Sequence, residues 1–255
     1  MVEIYIYSSV FFIFGLIMGS FYNVVGYRLP QGMSILKPSS HCPKCKKKLT
    51  IWELIPVFSY LWQNGKCTKC KTKISLFYPV IEALTGILFV ICYLIFGLSM
   101  EVLVAMIFVS VLLVSTISDL KYMIIPDEIL LLGGIMLFIT RLTMEYRFIN
   151  LILMAIIPFI VLYLIKLLGD FLFKKESLGG ADIKLMVIFG LVLGWESTIL
   201  TIFLASFIAL PISLIVLNKY KTNVIPFGPF LSIAALITYF QQIDVTLLID
   251  LLIGK

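Results

Sequence analysis

Along the chain, long apolar runs alternate with short polar breaks, and one polar stretch is far longer than the rest. A helix of about 20 residues spans the hydrocarbon of a bilayer. On that ruler the apolar runs predict eight membrane helices: 4–26, 79–97, 101–118, 128–141, 149–169, 183–198, 199–217 and 228–243. The fourth is short, and Gly133 and Gly134 interrupt it. Residues 27–78 form the long polar stretch, and the closing VTLLIDLLIGK is too short to span, so it is expected at the interface. The first run begins almost at once, without a basic stretch before it or a small-residue cleavage site after it, so it is expected to be a retained helix.

Composition agrees with the pattern. Of 255 residues, 61% are hydrophobic and only 13% charged, and mean hydropathy is +1.11. A soluble domain of this size could not cover its surface with so few charges, so the expected fold is an all-α polytopic membrane protein. The net charge of +6 does not point to nucleic acid, because basic residues in such a chain report orientation. With alternating helices, one side receives Arg28, Lys37, Lys44, Lys46, Lys47, Lys48, Lys66, Lys69, Lys71 and Lys73. The same side receives Lys121, Lys166, Lys174, Lys175, Lys184, Lys219 and Lys221, leaving Arg141, Arg147 and Lys255 for the other. Residues 27–78 are therefore expected in the cytoplasm and both termini outside.

The polar stretch carries HCPKC and KCTKC, giving C-x2-C (Cys42, Cys45), 21 residues, then C-x2-C (Cys67, Cys70). Two such knuckles facing each other make a tetrahedral four-thiolate site, and the spacing lies just beyond the usual range for that pattern. Disulfides and a redox dithiol are the alternatives. A cytoplasmic location disfavours stable disulfides. Structural zinc is the expectation, with the surrounding lysines favouring thiolate. Cys92 sits in an apolar run and is expected to pack. The one histidine, His41, would have to carry any Ser-His-Asp or Cys-His mechanism, and its place beside Cys42 argues for a surface or supporting role.

Two aspartates stand at equal depth. Asp119 ends the third run and Asp182 opens the sixth, each followed two residues later by a lysine, Lys121 and Lys184. Either could cap a turn or helix. As a facing pair they could share a proton, one carboxylate activating water and the other donating to a carbonyl, as in aspartic proteases. They could also couple protons in a secondary transporter. Gly179 and Gly180 of LGGAD would let a substrate backbone approach. Pro226, Gly228 and Pro229 of PFGPFL would leave backbone groups free to pair with an extended peptide, or simply open a helix. Asp127 is expected to be exposed and to cap the helix after Pro126. Glu82 enters the second helix and is expected to pair with a lysine. Asn23 and Arg28 are candidates for polar contacts at the first helix exit.

These segments, in this order, resemble the prepilin peptidases, or type IV leader peptidases. GSFYNVVGYRLP (Gly19 to Pro30) is similar to the family's first-helix exit, and the cysteine segment running into ISLFYPVIEALTG is similar to its cytoplasmic cysteine domain. SDLKYMIIPD and GGADIKL resemble the segments with the two catalytic aspartates, at Asp119 and Asp182, and PFGPFL resembles a late motif. The common form is G-x-G-D, with Ala181 here in place of the second glycine. The resemblance implies an aspartic endopeptidase of the bacterial cytoplasmic membrane that cuts prepilin or pseudopilin leaders after a glycine. It also implies N-methylation of the new terminus with S-adenosylmethionine, for which the chain has no G-x-G-x-x-G loop. The implied layout is a first helix (1–26), a zinc-ribbon-like domain (27–78) and a peptidase domain (79–255). Expected partners are those substrates and membrane lipid. The runner-up readings are the proton-coupled transporter and a non-catalytic assembly factor.

Overall fold

The computed structural model describes residues 2–174, 178–220 and 225–242. The closing VTLLIDLLIGK, with Lys175 and Lys221, lies outside the described residues. Among the described residues the chain is helical, with no strand beyond the isolated bridges His41–Lys48 and Lys66–Lys73. The helices are α1 (Val2–Arg28), α2 (Phe58–Trp62), α3 (Phe77–Phe96), α4 (Met100–Tyr122), α5 (Asp127–Thr143), α6 (Phe148–Phe173), α7 (Gly180–Tyr220) and α8 (Gly228–Phe240). Five of them, α1, α3, α4, α6 and α7, are long and apolar enough to cross a membrane. The sequence had suggested eight. The difference arises because α5 and α8 are shorter and α7 joins the expected sixth and seventh helices across a kink at Gly194.

That element, α7, breaks at Gly194, whose φ of 80° and ψ of 167° lie outside the helical region. A residue with a Cβ resists that conformation, which glycine adopts freely. The break leaves carbonyls of the preceding turn without helical partners. Buried Arg141 of α5 supplies them, donating from Nε to Leu191 O at 3.2 Å and from Nη2 to Val192 O at 2.9 Å. A buried guanidinium has only donors to offer, and here carbonyl dipoles receive them.

The chain divides into two compact units, residues 1–102 and 103–255. In the first, α1 and α3 run antiparallel and pack through small residues. A Cβ on Gly15 would stand 2.7 Å from Gly86 Cα, and one on Gly19 would stand 2.8 Å from Glu82 Cα. Small residues spaced by four let helix backbones meet closely inside a membrane, where dispersion replaces the hydrophobic effect. The pair of helices opens into the cysteine segment, and Tyr27 stacks on Tyr78 at 5.5 Å where the segment leaves and returns.

In the second unit, α4 supplies much of the core, with Val104, Ala105, Phe108, Val109, Leu112 and Ile117 buried. Phe108 meets Phe189 of α7 and Tyr239 of α8 edge-on. Helix α6 approaches α7 so closely that a Cβ on Gly190 would overlap Met154 O at 2.0 Å. Helix α8 lies antiparallel to α4, joined by Thr116 donating to Ser232 at 3.1 Å. This packing fixes the ends of α4, α7 and α8 relative to one another.

Candidate functional site

Asp119 lies in the last turn of α4 and Asp182 in the first turn of α7. Each is 7% exposed. Neither serves as a helix cap: α7 already starts at Gly180, and the Asp119 carboxylate reaches across to another helix. Its Oδ2 accepts the Gly228 backbone N–H at 3.0 Å. Gly228 is the first residue of α8, followed by Pro229, which has no N–H to offer. Amides at a helix N-terminus point outward without intrahelical partners and favour negative charge. The prolines of PFGPFL therefore form a helix start, with the Gly228 N–H engaged by the aspartate.

A glycine lies close against each carboxylate, the one at Gly228 more tightly than the one at Gly179. A Cβ on Gly228 would stand 2.7 Å from Asp119 Oδ2, and one on Gly179 would stand 3.2 Å from Asp182 Oδ2. At Gly180 a Cβ would meet nothing within 4 Å. Ala181 lies in the helix without positive φ, so the departure from G-x-G-D needs no unusual backbone. Pro226 precedes α8 and is half-buried. Asp127 is exposed as expected, but it is the first residue of α5 and caps nothing. It takes Lys184 Nζ at 2.6 and 2.8 Å, tying the start of α5 to the start of α7.

The cysteines form a second centre, in the first unit. All four Sγ atoms lie within 4.8 Å of one another, with Cys42–Cys70 at 3.7 Å and Cys45–Cys67 at 3.9 Å. A tetrahedron of thiolates about 2.3 Å from zinc has edges of about 3.8 Å, so the four residues fit and could hold such an ion. Among the described residues this is the only such group. The two knuckles repeat each other: Cys42 N–H donates to Lys47 O and Cys67 N–H to Thr72 O, both at 2.9 Å. Lys46 and Lys71, one residue past each second cysteine, both have φ of 57°. His41 turns Nδ1 to Ser39 O at 2.9 Å and stands apart from the thiols.

Lysines are not what chiefly favours thiolate here. Backbone amides of Cys45 and Lys44 lower the Cys42 thiol, and the Thr72 hydroxyl and amide bring Cys70 down to about 6, while Cys45, despite the Lys47 amide, is pushed up to about 11 by burial and the neighbouring thiols. Lys47 is engaged instead by Glu53 at 2.7 Å. The same Glu53 accepts from Thr68 at 2.5 Å and from Thr50 N–H at 2.9 Å, so it joins the first knuckle to the second. Lys47 first, then Thr68 and Thr50, hold its carboxyl down to about 2.

Comparison with known proteins identifies the arrangement. Residues 13–96 match the Bacterial Peptidase A24 N-terminal domain, and residues 106–214 match the Type IV leader peptidase family. A Bacillus subtilis (strain 168) protein named prepilin leader peptidase/N-methyltransferase is 36% identical over 91% of this chain and 93% of its own length. The chain belongs to the type IV leader peptidase family. Proteins of the same name from Aeromonas hydrophila and Neisseria gonorrhoeae are each 32% identical, over 95% and 89% of this chain and 93% and 88% of theirs. No solved structure matches. This leader peptidase is thus a bacterial membrane enzyme, which sets aside the transporter and assembly-factor readings.

Some polar contacts of the leader peptidase differ from those expected from its sequence. Glu82 has no lysine partner among the described residues: its Oε2 accepts the Val57 backbone N–H at 2.7 Å. Asn23 donates to Gly19 O and Tyr78 O, both at 3.2 Å, while Arg28 turns to the Ser34 carbonyl at 3.1 Å. Cys92 is fully buried, as a packing residue should be. Glu53 went unnoticed in the sequence, although Thr50 and Glu53 stand at capping-box spacing and do form one.

Proposed function

We propose that this leader peptidase cleaves the leaders of type IV prepilins or pseudopilins after a glycine, at the cytoplasmic face of the membrane, with Asp119 and Asp182 as the catalytic pair. The observation that carries the reading is that two buried carboxylates from separate helices, in the last turn of α4 and the first turn of α7, each lie against a glycine. One carboxylate takes a proton from water as its oxygen attacks the scissile carbonyl, while the other, protonated, donates to the carbonyl oxygen. When the tetrahedral species collapses, the carbon–nitrogen bond breaks and the nitrogen leaves with a proton as an amine. The Gly228 N–H fixes the orientation of Asp119 throughout. Gly179, Gly180, Pro226, Gly228 and Pro229 border the substrate path, the open side of Gly180 leaving room for a peptide backbone.

The lysine distribution supports a cytoplasmic cysteine domain with both termini outside. The four thiolates hold zinc in a closed, structural role. By analogy with the relatives named prepilin leader peptidase/N-methyltransferase, the enzyme also methylates the new N-terminus. S-adenosylmethionine would supply the methyl group, and we place that activity in the first unit, which carries the cysteine cluster.

The test is mass spectrometry of a synthetic prepilin-type peptide incubated with the purified protein in lipid, beside Asp182→Asn and Asp119→Asn. A product cut after the leader glycine with wild type, and with neither variant, is the expected result. Equal cleavage by either variant removes that residue from the mechanism. A methyl added only with S-adenosylmethionine present would establish the second activity.

A further inference from the structure

Three features of the first unit, none of them used in peptide cleavage, meet where α1 and α3 open into the cysteine segment. Asn23 is 2% exposed, and although its nitrogen has two acceptors, its Oδ1 is buried without a partner. Glu82, 9% exposed, lies one turn along α3 from Tyr78, whose carbonyl Asn23 bonds. Gly19, one turn before Asn23 on α1, packs against the Glu82 Cα. Asn23 and Glu82 therefore sit on adjoining turns of one helix contact. The third feature is Val57, with φ of 63° and ψ of −54°. Phe58 N–H closes on Pro56 O across it at 2.6 Å, a three-residue turn of the rarer, strained hand, and a β-branched residue suits it poorly. That turn delivers the Val57 N–H to Glu82 at 2.7 Å.

A purely structural role, pinning the loop to α3, explains the Val57–Glu82 bond. It does not explain the choice of a carboxylate, since a neutral glutamine would accept the same N–H without the desolvation of a charge. Nor does it explain an orphaned amide oxygen on the adjoining turn of the same helix contact. Backbone strain of this kind persists where surrounding structure imposes it, and it gathers at functional sites. What the corner lacks is a positive charge with hydrogens to give.

We infer that Glu82 and Asn23 form a binding site for a primary ammonium group, occupied by the α-amine that leader cleavage creates. An ammonium is three donors and no acceptor, which matches a carboxylate oxygen and an unpaired amide oxygen. This rests on the function proposed above and gives that amine its place in the first unit. Bound there, the ammonium hands one proton to Glu82. The nitrogen lone pair then forms its bond to the methyl carbon of a sulfonium donor, whose carbon–sulfur bond breaks with the electron pair left on sulfur. The product is a methylammonium, and Glu82 releases its proton to water.

The experiment measures binding to the full-length protein in lipid nanodiscs, by calorimetry, of a synthetic peptide that starts at the residue after the cleavage point. One form has a free amine and the other is N-acetylated. The wild type is expected to bind the free amine at least about tenfold more tightly than the capped form, and Glu82→Gln to erase that preference. Glu82→Gln keeps an acceptor for Val57 N–H, and its metal content and melting temperature report its folding. Should it fail to fold, Asn23→Ala must narrow the preference instead. Equal binding of the two peptides by wild type overturns the inference, as does a folded Glu82→Gln that still discriminates. Loss of S-adenosylmethionine binding in Glu82→Gln, with peptide preference intact, would give the corner to the methyl donor and overturn it too. Because the peptide is already cut, a protein that prefers the free amine yet cleaves no precursor would refute the proposed cleavage alone.

Discussion

Replacing Gly228 by alanine probes the link between α8 and Asp119 with a single methyl group. Gly228 has no positive φ, so alanine costs nothing in backbone conformation and is the better helix former. The new Cβ would stand 2.7 Å from Asp119 Oδ2, 3.3 Å from Cγ and 3.5 Å from Cβ, so the carboxylate must move away from the Gly228 N–H that now holds it at 3.0 Å. A hydrogen bond to a charged group contributes about 1.5–3 kcal/mol. If that orientation is needed in the transition state, kcat falls about tenfold to about a hundredfold, since 1.36 kcal/mol is about one decade. Cleavage kinetics on a prepilin-type peptide measure it, with thermal unfolding as the folding control. Gly134→Ala is the matched comparison, because Gly134 lies outside the proposed site and its Cβ would make only ordinary contact, 3.4 Å from Ile188 Cδ1, so the rate should stay within about twofold of wild type. A fully active Gly228→Ala would show that the Asp119–Gly228 contact is absent from the reacting enzyme and would refute the reasoning.

Glu53 gives a pH dependence with a definite sign. Its carboxyl sits at about 2 in the folded protein against 4.5 as its ordinary value, so its stabilisation is complete above about 4.5 and is lost as pH falls through about 2. The difference in unfolding stability between wild type and Glu53→Gln should therefore shrink across that window, and a constant difference would dissociate Glu53 from the effect. Arg141→Met should lower stability by about 1–3 kcal/mol for each buried carbonyl left unpaired at Leu191 and Val192, read by denaturant titration in lipid. A change below about 0.5 kcal/mol would mean the α7 break needs no capping. Elemental analysis of reduced protein should find one zinc per chain, and Cys67→Ser should lose it together with protease resistance in residues 27–78. Full resistance after chelation would show that the segment folds without metal.

The sequence predicted well wherever local pattern decides structure. The ends of α1, α3 and α4 lie within a few residues of the apolar runs, because the first charged or turn-forming residues end them. The paired knuckles were legible too, since two residues between cysteines leave little choice of geometry. What escaped were contacts between distant segments. The Gly228 N–H that holds Asp119 is 109 positions away, and the Val57 N–H that meets Glu82 comes from a strained turn no propensity would place there. The expected division of 183–217 into two helices is present as a break at Gly194, four residues before the expected boundary, because glycine takes the non-helical conformation while the apolar run continues through it.

The stacked tyrosines at the mouth of the first helix pair carry a last consequence. Tyr27 and Tyr78 are 5.5 Å apart, so the chain leaves α1 and returns to α3 at almost the same place. The intervening segment brings its own four-cysteine cluster and its own Glu53 clasp. The helices beneath hold each other through Gly15, Gly19 and Gly86. Such a segment is detachable in principle: a short turn could join the two ends without asking either helix to move. Whatever the cysteine module contributes, it can be gained, lost or exchanged as one piece.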